Sequence, residues 1–499
     1  MTSRPGDGPA PARPVRPRWL QPPTWRGEAP TEPLPVRASL RRTPYRNPRV
    51  RRTQEERVAM DLALNVGEVL LRCGASAAQT HTSVVAVSLA AGLERIDVDI
   101  TLQSLLMQVQ TADGEVATRL RVVGPPRWDF GRLAAVHALV DDLVSGEVTV
   151  AQAVERMQEI HRAPRTWSSW VVALATGLLA AGVAVVLGAG VLAAVLCIGS
   201  AILVDRLVGT LSGLRIPDFY ASAAGGFVAT AIAYGAYALG YVAFWSITPA
   251  DFAAMVAGGI IALLPARSIA SAMEDVVTGY PVTGTSRIFS VLFHTLGLII
   301  GVGSALPFSV WVATRAGQSV APPAVERLAS TTVGLPVALA GAAAIGIFGA
   351  ITMQSRRRYV LPAGGLTVVG VLVTRLLTSD VGVGRVTAVG LTAIIIGFLA
   401  RVVALRMGAP ALVLAVPGSF GLLPGLAIFV GLYRLLVTAG GDLSGSLTIQ
   451  VGAQELISAV GVLIAIATGN TLGDLLASPL DHRASMRRTE APDGAGERG

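Results

Sequence analysis

From Trp167 to Leu476 apolar residues run in stretches of about 17–25, each long enough to cross the roughly 30 Å hydrocarbon core of a bilayer as a helix. About ten such spans are predicted, near 167–187, 189–208, 220–241, 252–266, 289–313, 331–353, 361–378, 386–403, 411–436 and 449–472. Upstream the rhythm is different. Val58, Leu62, Val66, Val69 and Leu70 recur at helical spacing and Gly74 ends that helix. A second helix is predicted from Ser76 to Ala91, stopped by Gly92. Ile96 to Ile100 then alternates apolar and polar as a half-buried strand does, and Ser104 to Gln110 reads as its partner or continuation, with Asp113-Gly114 as a turn. Helices over 129–144 and 149–160 complete a small α+β domain, and Pro164 separates it from the first span.

Composition sharpens this division. The 499 residues are 52% hydrophobic and 14% charged, against roughly 25% charged for a soluble chain. Fifty-five glycines suit membrane helices, whose backbones approach closely through small residues. The expected fold is thus a mainly α membrane protein of about ten transmembrane helices in two related halves, preceded by a small cytoplasmic α+β domain. The boundaries are 1–53 for an Arg/Pro-rich disordered tail, 54–163 for the domain, 164–313 and 314–477 for the two halves, and 478–499 for a second tail.

All the basic residues are arginine, and the formal charge is +8. If Arg165 is cytoplasmic, alternate loops place Arg206, Arg215, Arg267, Arg287, Arg356 to Arg358, Arg401 and Arg406 inside, whereas the opposite loops hold little beyond Arg315, Arg327 and Arg385. This is the positive-inside bias of a multi-pass protein with both termini cytoplasmic, not the footprint of a nucleic-acid binder. No apolar core in Met1 to Val50 offers a signal peptide. Cys73 and Cys197 suit neither a disulfide framework nor a metal site.

The stretch from Val277-Thr278-Gly279 to Thr285 echoes that from Val437-Thr438-Ala439 to Ser446. Each follows a Pro-interrupted apolar segment and precedes a long apolar helix. Halves of five spans place the two copies on opposite sides, as inverted-topology repeats do.

Transporters bind solutes where helices are broken, because unwound backbone offers free polar groups. Pro417-Gly418-Ser419, followed by Pro424-Gly425, places two prolines and three glycines between 417 and 425, and a regular helix does not tolerate them. A kink needed only for packing is the competing reading of that motif, and Pro265 is its weaker counterpart. Glu455 lies in the last span beside Gln450, Gln454 and Ser458, where a carboxylate could exchange a proton or pair with an ammonium. Its other reading is a place at headgroup level. His294 could titrate near neutrality or simply bond two helices together. Glu274 and Asp275 read as a solvated loop or as the lining of an inner vestibule. Nucleophile-elbow, HExxH and phosphate-loop motifs are missing, and His81, His137 and His161 show no metal spacing, so no cofactor is expected.

Asn65-Val66-Gly67-Glu68-Val69-Leu70-Leu71-Arg72-Cys73-Gly74-Ala75-Ser76 resembles the opening helix of the threonine/serine exporter family, and Val416-Pro417-Gly418 to Gly445 resembles its second membrane module. The resemblance spans residues 54–477. It implies export of threonine and serine from the cytoplasm, driven by the proton motive force; the residues of this sequence, not the resemblance, offer Glu455 or His294 as candidate coupling groups. The Arg-only, Ala/Gly-rich composition fits a high-GC bacterial host, which places the protein in a bacterial plasma membrane. The expected partners are a small amino acid, protons and the lipid bilayer, with no nucleic acid, and a homo-oligomer is compatible. A passive channel for small polar solutes and a membrane-anchored hydrolase are the rival readings.

Overall fold

The structure, a computed structural model, describes residues 54–110, 116–240, 247–318, 320, 333–438 and 445–480. Most of both expected tails, the Asp113-Gly114 turn and much of the second repeated motif lie outside them.

The N-terminal part comprises α1 (Gln54–Arg72), α2 (Ala77–Ala90), β1 (Ile96–Thr101), β2 (Ser104–Gln110), β3 (Val116–Val122), α3 (Phe130–Val144) and α4 (Val150–Arg162). Gly74 takes φ +97° to end the first helical turn sequence, and Ser76 caps α2 by accepting from the Gln79 amide. The strands form one antiparallel sheet in the order β1-β2-β3, with Val98 opposite Met107 and Met107 opposite Arg119. The alternation in Ile96 to Ile100 and Ser104 to Gln110 foretold β1 and β2, but not β3. Its inward positions are Ala117, Arg119 and Arg121, and its apolar Val116, Leu120 and Val122 face outward. The arginines are bound to α1: Arg119 pairs with Asp61, and Arg121 Nη1 lies 2.8 Å from Glu68 Oε2.

The apolar region begins with α5 (Ser169–Val186), α6 (Val191–Gly213), α7 (Asp218–Gly240), α8 (Pro249–Gly259), α9 (Ala266–Val277) and α10 (Pro281–Arg315). It continues with α11 (Leu335–Thr352), α12 (Arg357–Arg375), α13 (Arg385–Met407), α14 (Leu412–Gly418), α15 (Gly425–Thr438) and α16 (Gly445–Ala477). Eight of the described helices are long and apolar enough to cross a bilayer alone, and two bent pairs, α8 with α9 and α14 with α15, bring the number to ten if each is one span. The fourth expected span, 252–266, therefore covers only its first arm and the break.

The same packing order recurs along the chain. α7 packs on α10 as α13 packs on α16, and α5 lies on α6 and α8 as α11 lies on α12 and α14. The close crossings repeat in detail. A β-carbon on Gly297 or Gly301 of α10 would collide with the Phe219 or Ala223 carbonyl of α7. One on Gly469 or Gly473 of α16 would collide with the Gly390 or Ile394 carbonyl of α13. Small residues at this spacing let membrane helices approach backbone to backbone. Between α5 and α11 the contact is reciprocal. A β-carbon on Gly182 would lie 3.1 Å from the Gly341 carbonyl, and one on Gly341 would lie 3.1 Å from the Gly182 carbonyl.

The α+β elements pack on the ends of these helices. The Phe130 and Gly131 amides donate to the Met353 and Gln354 carbonyls in the α11–α12 turn, and the Trp167 indole donates to the Ser355 carbonyl. At a second place Thr283 of α10 bridges the Ile100 carbonyl and the Leu102 amide at the β1–β2 turn.

Candidate functional site

Both bent pairs break in the same way. After α8 a 3₁₀ turn, Ile261–Leu263, leads into Leu264 and Pro265; after α14 a 3₁₀ turn, Phe420–Leu422, leads into Leu423 and Pro424. Proline forces its predecessor out of the α region. Leu264 (φ −68°, ψ 127°) and Leu423 (φ −63°, ψ 134°) are accordingly extended, and the arms are bent by 55° and 45°. The interval along the chain from Gly182 to Gly341 is also the interval from Leu263-Leu264-Pro265 to Leu422-Leu423-Pro424.

The two breaks pack against each other. A β-carbon on Gly425 would lie 3.5 Å from the Ala257 carbonyl and 3.8 Å from Ile261. A cavity of about 110 Å³ opens beside this junction, lined by Ile261, Ala262 and Leu264 from the first break and by Phe420 and Leu423 from the second. The residues with polar side chains among its lining are Asp205 on α6, Thr176 and Thr352. Thr176 donates to the Val172 carbonyl at 3.0 Å and Thr352 to the Gly349 carbonyl at 2.7 Å. Each hydroxyl proton is thus spent within its own helix, and what each oxygen offers the cavity is an acceptor. Asp205 is half-buried, and no hydrogen bond or ion pair to its carboxylate forms among the described residues.

Each break is tied to the span that follows it. His294 of α10 contacts the Leu263 carbonyl through Nε2 at 2.7 Å. Asn470 of α16 donates through Nδ2 to Ser419 Oγ at 2.9 Å, and Ser419 itself donates to the Ala415 carbonyl. His294 is therefore placed as a helix-to-helix hydrogen bonder beside the cavity's edge. Of the prolines in the 417–425 motif, Pro424 makes the break, with Gly425 opening the next arm. Pro417 lies inside α14, where its carbonyl accepts from Thr367, and Gly418 packs on Leu366.

The polar face of the last span is elsewhere. Gln450 and Gln454 are exposed, Ser458 is half-buried, and none of them borders the cavity. Glu455 Oε1 lies 3.6 Å from Arg434 Nη1 on α15. One turn before that pair, Gly431 and Gly452 meet: a β-carbon on Gly452 would lie 2.9 Å from the Gly431 carbonyl. Glu455 thus closes a helix crossing.

Sequence reasoning overlooked Asp205 and Arg434. A scan for any ionisable residue inside an apolar stretch finds both, since each interrupts one. It misplaced Glu274 and Asp275, which lie on α9 rather than on a solvated loop. Glu274 Oε1 accepts from Ser76 Oγ at 2.8 Å and from Gln79 Nε2 at 2.7 Å. Asp275 is fully buried: its Oδ1 accepts from the Ala77 amide at 2.6 Å, and its Oδ2 lies 2.6 Å from Arg287 Nη1, an ion pair without hydrogen-bond alignment. Ser271 adds a bond to the Gly74 carbonyl. The second arm of the first broken span is therefore held by the α1–α2 turn of the N-terminal part. Among the described residues no His, Cys, Asp and Glu cluster could hold a metal ion.

Two family models match the chain. One, of a threonine/serine exporter, covers residues 61–309; the second, described as Threonine/Serine exporter, ThrE, covers 337–476. The boundary between them falls between α10 and α11. A Mycobacterium tuberculosis protein named Probable threonine/serine exporter is 33% identical over 447 residues, which is 88% of this chain and 80% of the relative. A Corynebacterium glutamicum protein named Threonine/serine exporter is 28% identical over 417 residues, which is 83% of this chain and 80% of that relative. No solved structure matches the chain.

Proposed function

The chain belongs to the threonine/serine exporter family, and on that premise we propose that it exports threonine and serine through the cavity between its two broken spans, in exchange for protons. The observation that carries this reading is the meeting of two Pro-made breaks, equally spaced from the α5–α11 crossing, around one small polar pocket. Secondary transporters commonly place substrate sites at such paired breaks, where irregular backbone lines a cavity instead of facing lipid.

The two five-span sets are inverted repeats in this reading. Two observations support it, the reciprocal Gly182–Gly341 contact, as a two-fold axis gives, and the repeated glycine-on-carbonyl crossings; counting each bent pair as one span makes the number in each set odd. Alternating access follows from rocking one set against the other about the α5–α11 contact. The N-terminal part and both termini lie in the cytoplasm of a bacterium and the helices in its plasma membrane. That orientation is supported by the arginine bias, with Arg356 to Arg358 following the turn that receives Phe130 and Gly131.

Purified protein in liposomes preloaded with threonine tests the function. Labelled threonine should enter by counterflow, and a pH gradient should drive its accumulation. Flux that a pH gradient leaves unchanged would sink the antiport and favour a passive channel.

A further inference from the structure

We infer that the Asp205 carboxylate is the group that holds the α-ammonium of the transported amino acid and, when the amino acid has left, the exchanged proton. The inference rests on the transport reading above and goes beyond it by naming the atom at which substrate and proton meet.

The cavity is short of donors and rich in acceptors. Asp205 brings a carboxylate that takes part in no hydrogen bond or ion pair among the described residues, with the Arg206 charge acting on it only through space, and the Thr176 and Thr352 oxygens have already spent their protons on the Val172 and Gly349 carbonyls. The breaks add backbone that has left the α-helical ladder at Ala262 and Leu264. A set made of acceptors selects a ligand made of donors, and an ammonium with three N–H groups fits it where a carboxylate does not. The walls, from Val172, Leu179, Ile261, Phe420 and Leu423, exclude large polar solutes and strengthen the one charge pair inside.

Arg206, next to Asp205 on α6, acts on that carboxylate through space without forming an ion pair with it, because it lies over the Trp170 ring at 4.7 Å and its Nη2 donates to the Ser169 carbonyl at 2.7 Å. Asp251 of α8 accepts from the Gly190 and Thr248 amides, and α5 carries no titratable side chain. On α7, Asp218 and Tyr220 are exposed at the helix start, Tyr237 is buried, and the Tyr234 hydroxyl donates to the Val320 carbonyl.

One carboxylate can be neutralised by an ammonium or by a proton, but not by both at once. An arriving amino acid therefore displaces the proton to the side on which the cavity is open. A departing one is replaced by a proton on the other side. Exclusive occupancy of Asp205 turns two binding events into an obligatory exchange.

Competition in counterflow by the full-length protein tests this without any variant. Threoninol, which keeps the ammonium and hydroxyl but lacks the carboxylate, should compete with labelled threonine. 2,3-Dihydroxybutanoate, which lacks the ammonium, should not. Equal competition by the dihydroxy acid would overturn the assignment. Asp205→Asn should lower apparent threonine affinity by roughly tenfold to a hundredfold, the effect of removing one charge-assisted hydrogen bond. It should also uncouple the residual flux from the pH gradient, with Asp205→Glu retaining coupling. Wild-type counterflow and coupling in Asp205→Asn would equally refute it. Absence of threonine counterflow in the unaltered protein would refute the transport reading itself, a result visible before any competitor is added.

Discussion

Ser76 donates a hydrogen bond to Glu274 at 2.8 Å, joining the cap of the second helix to the distal arm of the first broken span. Gln79 donates to the same oxygen and the Ala77 amide to neighbouring Asp275, so the positive end of α2 meets a pair of carboxylates. Through this joint the N-terminal part holds a segment that must move if the breaks act as hinges.

Glu274→Ala should loosen the joint by about 1–3 kcal/mol, since it strands two donors. Hydrogen exchange read by mass spectrometry should quicken at the α2 N-terminus while α3 and α4 stay protected. Unchanged exchange around Ser76 and Gln79 would remove Glu274 as the anchor.

The α7–α10 and α13–α16 crossings should tolerate no side chain. Gly301→Val and Gly473→Val each press a side chain into a carbonyl of the facing helix, and we expect each to lower the midpoint of thermal unfolding in detergent by several degrees. Gly365, beside which a β-carbon meets nothing within 4 Å, is the control, and Gly365→Ala should unfold as the wild type does.

Arg434 and Glu455 should behave as a couple. Glu455→Arg or Arg434→Glu alone puts two like charges at the α15–α16 crossing, while the exchanged pair restores attraction. Thermal stability and threonine flux should therefore recover in the double variant. Failure to recover would leave the 3.6 Å approach without energetic meaning.

His294 should be replaceable by a side chain that keeps a donor at the Leu263 carbonyl. His294→Leu leaves that carbonyl unbonded at a cost of about 1–3 kcal/mol, and His294→Gln should recover part of it. Thermal unfolding measures both. Equal loss in the two variants would argue against the hydrogen bond.

Cys73 should be chemically silent in the folded protein. Burial, with Asp129 nearby, pushes its thiol up to about 12, so the thiolate that alkylating reagents need is scarce at neutral and mildly alkaline pH. Maleimide should label it only after unfolding. Rapid labelling of native protein at pH 8 would contradict its place in the core.

The pattern of apolar runs determined the broad architecture, because length and hydrophobicity alone decide whether a segment can span a bilayer. Most span boundaries lie within a few residues of those in the structure, and the alternation in Ile96 to Ile100 identified β1. Pro265 and Pro424 marked the breaks in advance, since proline's effect on its predecessor is local. β3 escaped because its inward arginines are satisfied by Asp61 and Glu68, partners about half the domain's length away in sequence. The candidate site was legible only in part for the same reason. The distance between Glu455 and Arg434, the contact of His294 with a carbonyl, and the gathering of Asp205 with both breaks depend on which helices lie side by side. Helix packing sets that adjacency through glycines whose facing carbonyls cannot be inferred from their own neighbours. Hydropathy along the chain told which segments are long and apolar enough to cross a membrane; only the crossings of α5, α6, α8, α11 and α14 decided which polar groups share one cavity.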